Sequence, residues 1–447
     1  MLLISVDTLR ADHLGMYGYP RKTSPVLDSL AEHSIVYKRA LAPTPWTLPS
    51  HAAMLTGAHP YDMGFRDRDA TLPDEVVLLA EVLLEADYQT AAFVDSTPDG
   101  YLGALRGFSR GFRTFEHSPH VEDARFDYDM ALTTDRALRW FDERKMGDPF
   151  FLFLHSKSVH ALPRRNPSLD HRCFPYDKPE RYRFRFVSDE ESQFAWTEPG
   201  MGCGQDYLWN LNQRLLGGKM GAEDLSEEQL HSLVGLYDAG IFYVDEQIGR
   251  LLRGLEERDL TGNTIVVVTS DHGEAFLEHN LLQHQEVYDN LLHVPLLLVL
   301  PGHDEQIAVE HNVSLEDIVP TVLRYLGLEV PSTVSGVPLP LSMREAPTER
   351  TLFSYYQIPS RFKYRAYALV RDQEKLVYQN FADRNRFDAD LYDLRTDPEE
   401  RVPMPPYSNE WLETLQSIIS RPPVARGTPL TDHRPEEVQL RTLGYIE

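Results

Sequence analysis

With 447 residues the chain is long enough for one large catalytic domain and a smaller companion, and 44 Lys and Arg against 69 Asp and Glu leave a formal charge of −25. A field of that sign repels DNA, RNA and anionic lipid, so nucleic-acid binding is a poor expectation and the acidity reads first as a device of solubility. Two cysteines, Cys173 and Cys203, are too few for a disulfide framework, and no apolar run approaches the roughly 20 residues of a membrane span.

The chain begins Met1-Leu2-Leu3-Ile4-Ser5-Val6-Asp7, entering a strand pattern without a basic leader or a small-residue cleavage site. The expectation is a cytoplasmic protein, monomeric or dimeric. Apolar, β-branched runs follow at Thr90–Val94, Phe150–Leu154, Thr264–Thr269 and Val294–Leu300, alternating with helical patterns. Continuous apolar strands suit a sheet covered on both faces, which predicts an α/β fold with a central, mostly parallel sheet flanked by helices. The clearest helix spans Ser226 to Arg258, opening on Ser-Glu-Glu with Leu230, Leu233, Leu236 and Tyr237 at helical spacing. Another runs from Ser314 to Leu326, with Gly327 as its C-terminal stop.

Residues from about 163 to 225 are rich in Arg, Pro, Tyr and Phe without periodicity, and are read as a folded insertion shaping access to a site. After Pro340 come short strand-like pieces, Thr351–Tyr356, Tyr367–Arg371, Lys375–Gln379 and Leu391–Leu394, then a helix at Asn409–Ile419. The domain reading is therefore a catalytic unit over 1–340 and a small C-terminal unit, 341–447, built on an antiparallel sheet.

In open α/β sheets, ligands gather beyond the carboxyl ends of the strands. Asp7, His155 and Asp271 each stand at such an end, with His272 next to Asp271. A strand-ending aspartate is commonly only a turn or helix-cap residue. Two of them with an adjacent histidine point instead to a divalent cation. Thr47-Leu48-Pro49-Ser50-His51 supplies a hydroxyl at the head of a Pro-started helix. As an N-cap, Thr47 would satisfy one backbone N–H; facing a metal at the positive end of the helix, it would ionise more easily.

These residues resemble the sulfatase family within the alkaline phosphatase superfamily. Asp7-Thr8-Leu9-Arg10-Ala11-Asp12-His13-Leu14-Gly15 is similar to the family's opening strand and turn, and Thr47-Leu48-Pro49-Ser50-His51 to its Cys/Ser-x-Pro-Ser-Arg signature. His155-Ser156-Lys157-Ser158-Val159-His160 lies where the family has a strand-end loop with two histidines, and Thr269-Ser270-Asp271-His272-Gly273-Glu274 resembles its second metal motif. The resemblance implies an alkaline-phosphatase-like sandwich, with one divalent metal bound by Asp7, Thr47, Asp271 and His272. Thr8 stands where relatives commonly carry a second acidic ligand. An imidazole in the set suits Mn²⁺ best, then Zn²⁺ or Mg²⁺, whereas Ca²⁺ favours an all-oxygen cage.

In relatives the signature cysteine or serine is converted to formylglycine, and threonine is not a substrate for that conversion. Thr47 would therefore keep its hydroxyl, and the expectation is a hydrolase of a phosphate-type ester, phosphodiester or phosphonate or phosphomonoester, acting through a covalent Thr47 intermediate. The alternatives are a sulfuric ester hydrolase without formylglycine, a phosphoglycerol-type transferase, and a silent relative that only binds anions. His160 and His284, the latter where relatives carry a Lys or His, are expected as catalytic groups steadying ester oxygens or protonating the leaving group. Lys157 and His51 are expected to contact the anion, His51 standing in for an arginine, with a capping or packing role as the equal alternative for His51. The substrate is read as a small-molecule, glycan or lipid-type anionic ester. For a second metal cluster, only Asp238, Asp245 and His284 keep the prospect open.

Overall fold

The computed structural model describes residues 1–118, 129–161, 174–188, 190–191, 194, 196–198, 202–216, 225–342, 345, 350–358, 364–381, 386–405, 408–425 and 427. Residues 163–173 and 217–224 of the expected insertion, Cys173 and the end of the chain beyond residue 427 lie outside that set. Of the rest of that segment, a helix at Gln205–Leu216 and a hairpin of Thr197–Glu198 with Gly202–Cys203 are described.

A nine-stranded sheet forms the centre, in the order His293–Val294, Ile35–Leu41, Leu296–Val299, Val266–Thr269, Leu2–Val6, Phe150–Ser156, Gln89–Val94, Thr114–His117, with Ile307–Ser314 paired to Ile35–Leu41. Leu2–Val6 lies between two parallel neighbours, and Ser5 pairs with His155 on one side and Thr269 on the other. This register brings three carboxyl ends together at one edge. All five residues of Leu2–Val6 are buried, as their unbroken apolar run requires of a strand covered on both faces.

Two departures from the sequence pattern are instructive. Leu296–Val299 was expected to follow the parallel default but runs antiparallel to Val266–Thr269 and Ile35–Leu41. The strand Ile35–Leu41 is hidden in the sequence because Lys38 and Arg39 interrupt its apolar run. Both cations find partners at the sheet edge: Lys38 Nζ donates to the Met16 carbonyl at 2.7 Å, and Arg39 Nη1 lies 2.8 Å from Asp289 Oδ2.

The helix Glu227–Glu256 is capped as its sequence predicts, Ser226 and Gln229 satisfying each other's backbone N–H groups. At the C-terminal side, Leu352–Gln357, Tyr364–Arg371, Glu374–Phe381 and Arg386–Asp393 form a four-stranded antiparallel sheet. Its two faces are both buried. Ala366, Ala368 and Val370 join the main core, while Tyr367, Leu369 and Leu376 pack with Trp411 and Leu415 of the helix Asn409–Ile419. Lys375, fully buried, ties the small sheet to the large one through Asp289 at 2.7 Å and Glu400 at 2.8 Å. Among the described residues no helix is long and apolar enough to cross a membrane.

Candidate active site

Asp7 directly follows Leu2–Val6, and Asp271 lies two residues beyond Val266–Thr269, so the parallel register sets them side by side. Thr47 is the first residue of the helix Thr47–Thr56, all ten residues of which are buried. That helix is anchored rather than merely packed. Ser50 Oγ donates to the Asp271 carbonyl at 2.7 Å, and at the far end Gly57 stops the helix at φ 70°, where a Cβ would come within 2.9 Å of the Val319 Cβ. The consequence is that Thr47 Oγ1 reaches Asp7 Oδ2 at 3.4 Å.

His272 completes the group, its Nε2 lying 3.5 Å from Asp7 Oδ1 and 3.4 Å from Asp271 Oδ2. Its Nδ1–H donates to the Gly273 carbonyl at 2.9 Å, so Nε2 presents a lone pair toward the carboxylates. Gly273 is required by close approach and not by an unusual turn angle: a Cβ there would sit 2.0 Å from the Asn290 carbonyl oxygen. Asp7 Oδ1, Asp271 Oδ2 and His272 Nε2 are buried with no hydrogen-bond partner. Three converging acceptors, each lacking a donor, fit a divalent cation, and all three side chains offer ligand atoms within 4.8 Å of one another.

The electrostatics follow from this crowding. Burial and the neighbouring Asp7 charge push the Asp271 carboxyl well above its ordinary range. Burial works against ionised Asp7 too, but His160, His155 and His272 around it hold its carboxyl below the usual value.

Thr8 lies in the tight turn that joins the two metal-site carboxylates. Its backbone adopts φ 61°, uncommon for a β-branched residue, and its N–H donates to Asp271 Oδ1 at 3.3 Å. The Tyr237 hydroxyl holds the strained turn from outside, donating to the Thr8 carbonyl at 2.6 Å and accepting from Arg10 N at 2.9 Å.

Around this centre stand Lys157, His160 and His284, each 3 % exposed, which places the chemistry in a recess rather than on an open face. Asp95 fixes the turn that carries the first two, accepting from the Lys157 backbone N–H at 3.0 Å. Burial lowers the Lys157 ammonium below its ordinary value, opposed by Asp7, Asp95 and Asp271. Burial likewise pushes His160 down to about 4 and His284 well below the histidine range. His160 donates its Nδ1–H to the Ala161 carbonyl, which leaves its other nitrogen as an acceptor. The structure thus brings His160 and His284 to the site, and the Nδ1–H that His160 gives to the Ala161 carbonyl is not available to a leaving group.

His51 is the plainer correction. Its Nδ1–H donates to the Thr47 carbonyl at 2.8 Å and its Nε2 accepts from Ser5 Oγ at 2.9 Å, so both ring nitrogens are spent within the protein. It supports the helix start and has no donor left for an anion. Asp238 and Asp245 are also spent elsewhere: Asp238 accepts from His13 and Tyr19, and Asp245 receives the N–H groups of Val26 and Leu27.

Sequence reasoning passed over Glu274, Asp95 and Ser5. Asp95 follows Gln89–Val94 as Asp7 follows Leu2–Val6, so the strand-end signal was available. Glu274 lies in the Asp-His-Gly-Glu stretch but its fully buried position emerges only with the fold.

The sulfatase family model matches residues 1–328, and the model for the N-sulphoglucosamine sulphohydrolase C-terminal region matches residues 277–419. The chain is 24% identical to an N-acetylglucosamine-6-O-sulfatase of Bacteroides thetaiotaomicron, over 90% of this chain and 81% of that one. It is 24% identical to arylsulfatase K of Mus musculus, over 90% and 76% of the two chains. The fold matches the crystal structure of a phosphonate monoester hydrolase of Agrobacterium radiobacter with a TM-score of 0.72, at 20% identity, over 93% of this chain and 94% of that one. The expected phosphate-type ester is corrected by the relatives, which are named as sulfatases along most of the chain's length. Physically, the identity of residue 47 decides whether formylglycine can form, but it does not by itself decide whether the central atom of the ester is sulfur or phosphorus. The chain is an ester hydrolase whose buried acceptors could hold a divalent metal, and it belongs to the sulfatase family.

Proposed function

We propose that this protein hydrolyses the sulfate ester of a sugar with Thr47 as an unconverted nucleophile. The observation that carries the proposal is the position of the Thr47 hydroxyl, 3.4 Å from Asp7 at the head of a buried helix, in a chain whose relatives include a sugar O-sulfatase. The helix start favours an anion at this place, and the buried ammonium of Lys157 supplies positive charge for the sulfuryl oxygens.

Asp7, Thr47, Asp271 and His272 are the residues that would hold the metal, for which the mixed oxygen and imidazole set favours Mn²⁺. When bound, the cation withdraws charge from the ester and makes the threonine hydroxyl easier to ionise. Thr47 Oγ attacks sulfur, the bond from sulfur to the sugar oxygen breaks, and the proton lost by Thr47 ends on that departing oxygen, giving the free sugar hydroxyl. Water then attacks the sulfur of the threonine sulfate, releasing sulfate and a proton and restoring the Thr47 hydroxyl.

Incubation with Mn²⁺ and 6-O-sulfated N-acetylglucosamine, with 4-nitrophenyl sulfate as a second substrate, should release inorganic sulfate measurable by ion chromatography. Absence of sulfate from both substrates, with folding and metal content verified, overturns the proposal.

A further inference from the structure

Beside the Asp7 centre lies a second convergence of ligand-type side chains, His160, Glu274 and His284. One ligand atom of each lies within 4.8 Å of the others, and all three residues are buried. They arrive from three separate segments: the turn after Phe150–Ser156, the turn after Val266–Thr269, and the residue following Leu282–Gln283. His160 is oriented by its bond to the Ala161 carbonyl, the kind of backbone contact that fixes a metal-binding imidazole.

The plain alternative is a self-satisfied polar cluster of two histidines and a glutamate. Tyr176 also hydrogen-bonds this carboxylate, yet one oxygen of Glu274 remains unaccounted for. Nδ1 of His284 meets Glu274 Oε1 only at 3.3 Å, long for an N–H···O bond, and Oε2 of the same carboxylate is buried with no hydrogen-bond partner. A buried carboxylate oxygen without a donor is stabilised by a cation.

We propose that His160, Glu274 and His284 bind a second divalent cation of the transition-metal class, Zn²⁺ or Mn²⁺, next to the one held at Asp7. Two imidazoles and a carboxylate form a three-ligand set that leaves a coordination position for substrate or water. The His272 and His284 rings lie 4.5 Å apart between centroids, so the two cations share one recess and would act on one ester. Nothing in this inference depends on that ester being a sulfate.

The test is metal stoichiometry of the full chain, stripped, reloaded with Zn²⁺ or Mn²⁺ alone, freed of unbound ion and measured by inductively coupled plasma mass spectrometry. The wild type should retain two ions per chain, Glu274→Gln one, and Asp271→Asn should lose the other. His284→Lys guards against a folding failure of Glu274→Gln, because its ammonium supplies charge at the same place; it should keep the wild-type circular dichroism and hold one ion. A wild type saturating at one ion, or either folded variant still holding two, overturns the proposal.

Discussion

The Ser50 hydroxyl donates to the backbone carbonyl of Asp271 at 2.7 Å, fastening the helix that carries Thr47 to the strand end that carries a metal-site carboxylate. Replacing Ser50 by Ala removes that fastening without touching substrate. A neutral hydrogen bond of this kind contributes about 1 kcal/mol to stability, and a small shift of Thr47 is magnified in turnover. Ser50→Ala should lower kcat roughly tenfold or more with KM little changed, while Ser50→Thr recovers part of the loss. Equal losses in kcat and thermal stability across both variants would mark Ser50 as structural only.

Thr47 itself admits a sharper comparison. Thr47→Ala should reduce sulfate release by about a thousandfold or more, since the other hydroxyl of that first turn, Ser50, is committed to the Asp271 carbonyl. Thr47→Ser keeps the oxygen and should retain measurable turnover in steady-state kinetics. Comparable rates for Ala and Ser would remove the hydroxyl from the reaction.

Gly273 tests whether the metal motif is held by packing. A Cβ would have to displace the Asn290 carbonyl, which lies 2.0 Å from its position. Gly273→Ala should lower the melting temperature and weaken binding of the first cation together, read by differential scanning calorimetry and metal titration. Unchanged affinity would show that the turn yields elsewhere.

The buried ion network joining the two sheets gives a prediction in stability and pH. Lys375→Met leaves Glu400 facing Asp289 without its cation, and loss of one partner from a buried pair costs about 3–5 kcal/mol. Burial alone would raise the Asp289 carboxyl, but Arg39 and Lys375 outweigh it and hold it far below its ordinary value. Its folded value lies below the unfolded one of about 3.9. Its contribution is therefore complete above that pH and lost as pH falls through and below it. Urea midpoints should fall between pH 5 and pH 3 more steeply, by roughly one pH-unit equivalent of stability, in the wild type than in Asp289→Asn.

The metal centre should also be visible without catalysis. Removing divalent ions with a chelator leaves Asp7 and Asp271 facing each other in a buried pocket, so the melting temperature should drop and recover when Mn²⁺ returns. A melting curve indifferent to chelator and Mn²⁺ would contradict the assignment of these residues.

The site was legible where the chemistry rides on strand ends. Asp7 and Asp271 each follow an apolar run, and the run predicts both the strand and the place where its end faces. A helix start came through where capping chemistry is local, as at Ser226 with Gln229. What failed depends on partners far away in sequence. His51 looks like a free donor until Ser5 and the Thr47 carbonyl are seen to occupy it, and Glu274 looks like a turn residue until His160 and His284 close around it. The strand Ile35–Leu41 was missed because the partners of Lys38 and Arg39 lie outside the local window. The ester itself was misjudged because one side chain was asked to decide the central atom.

The central claim is that an unconverted Thr47 performs sulfate ester hydrolysis. It is tested most directly by measuring sulfate release from 6-O-sulfated N-acetylglucosamine by wild type and Thr47→Ala, after intact-mass analysis has shown Thr47 unmodified. The account predicts sulfate from the unmodified wild type and none above background from Thr47→Ala. Equal release by both proteins, or release only by protein carrying a modified residue 47, would contradict it.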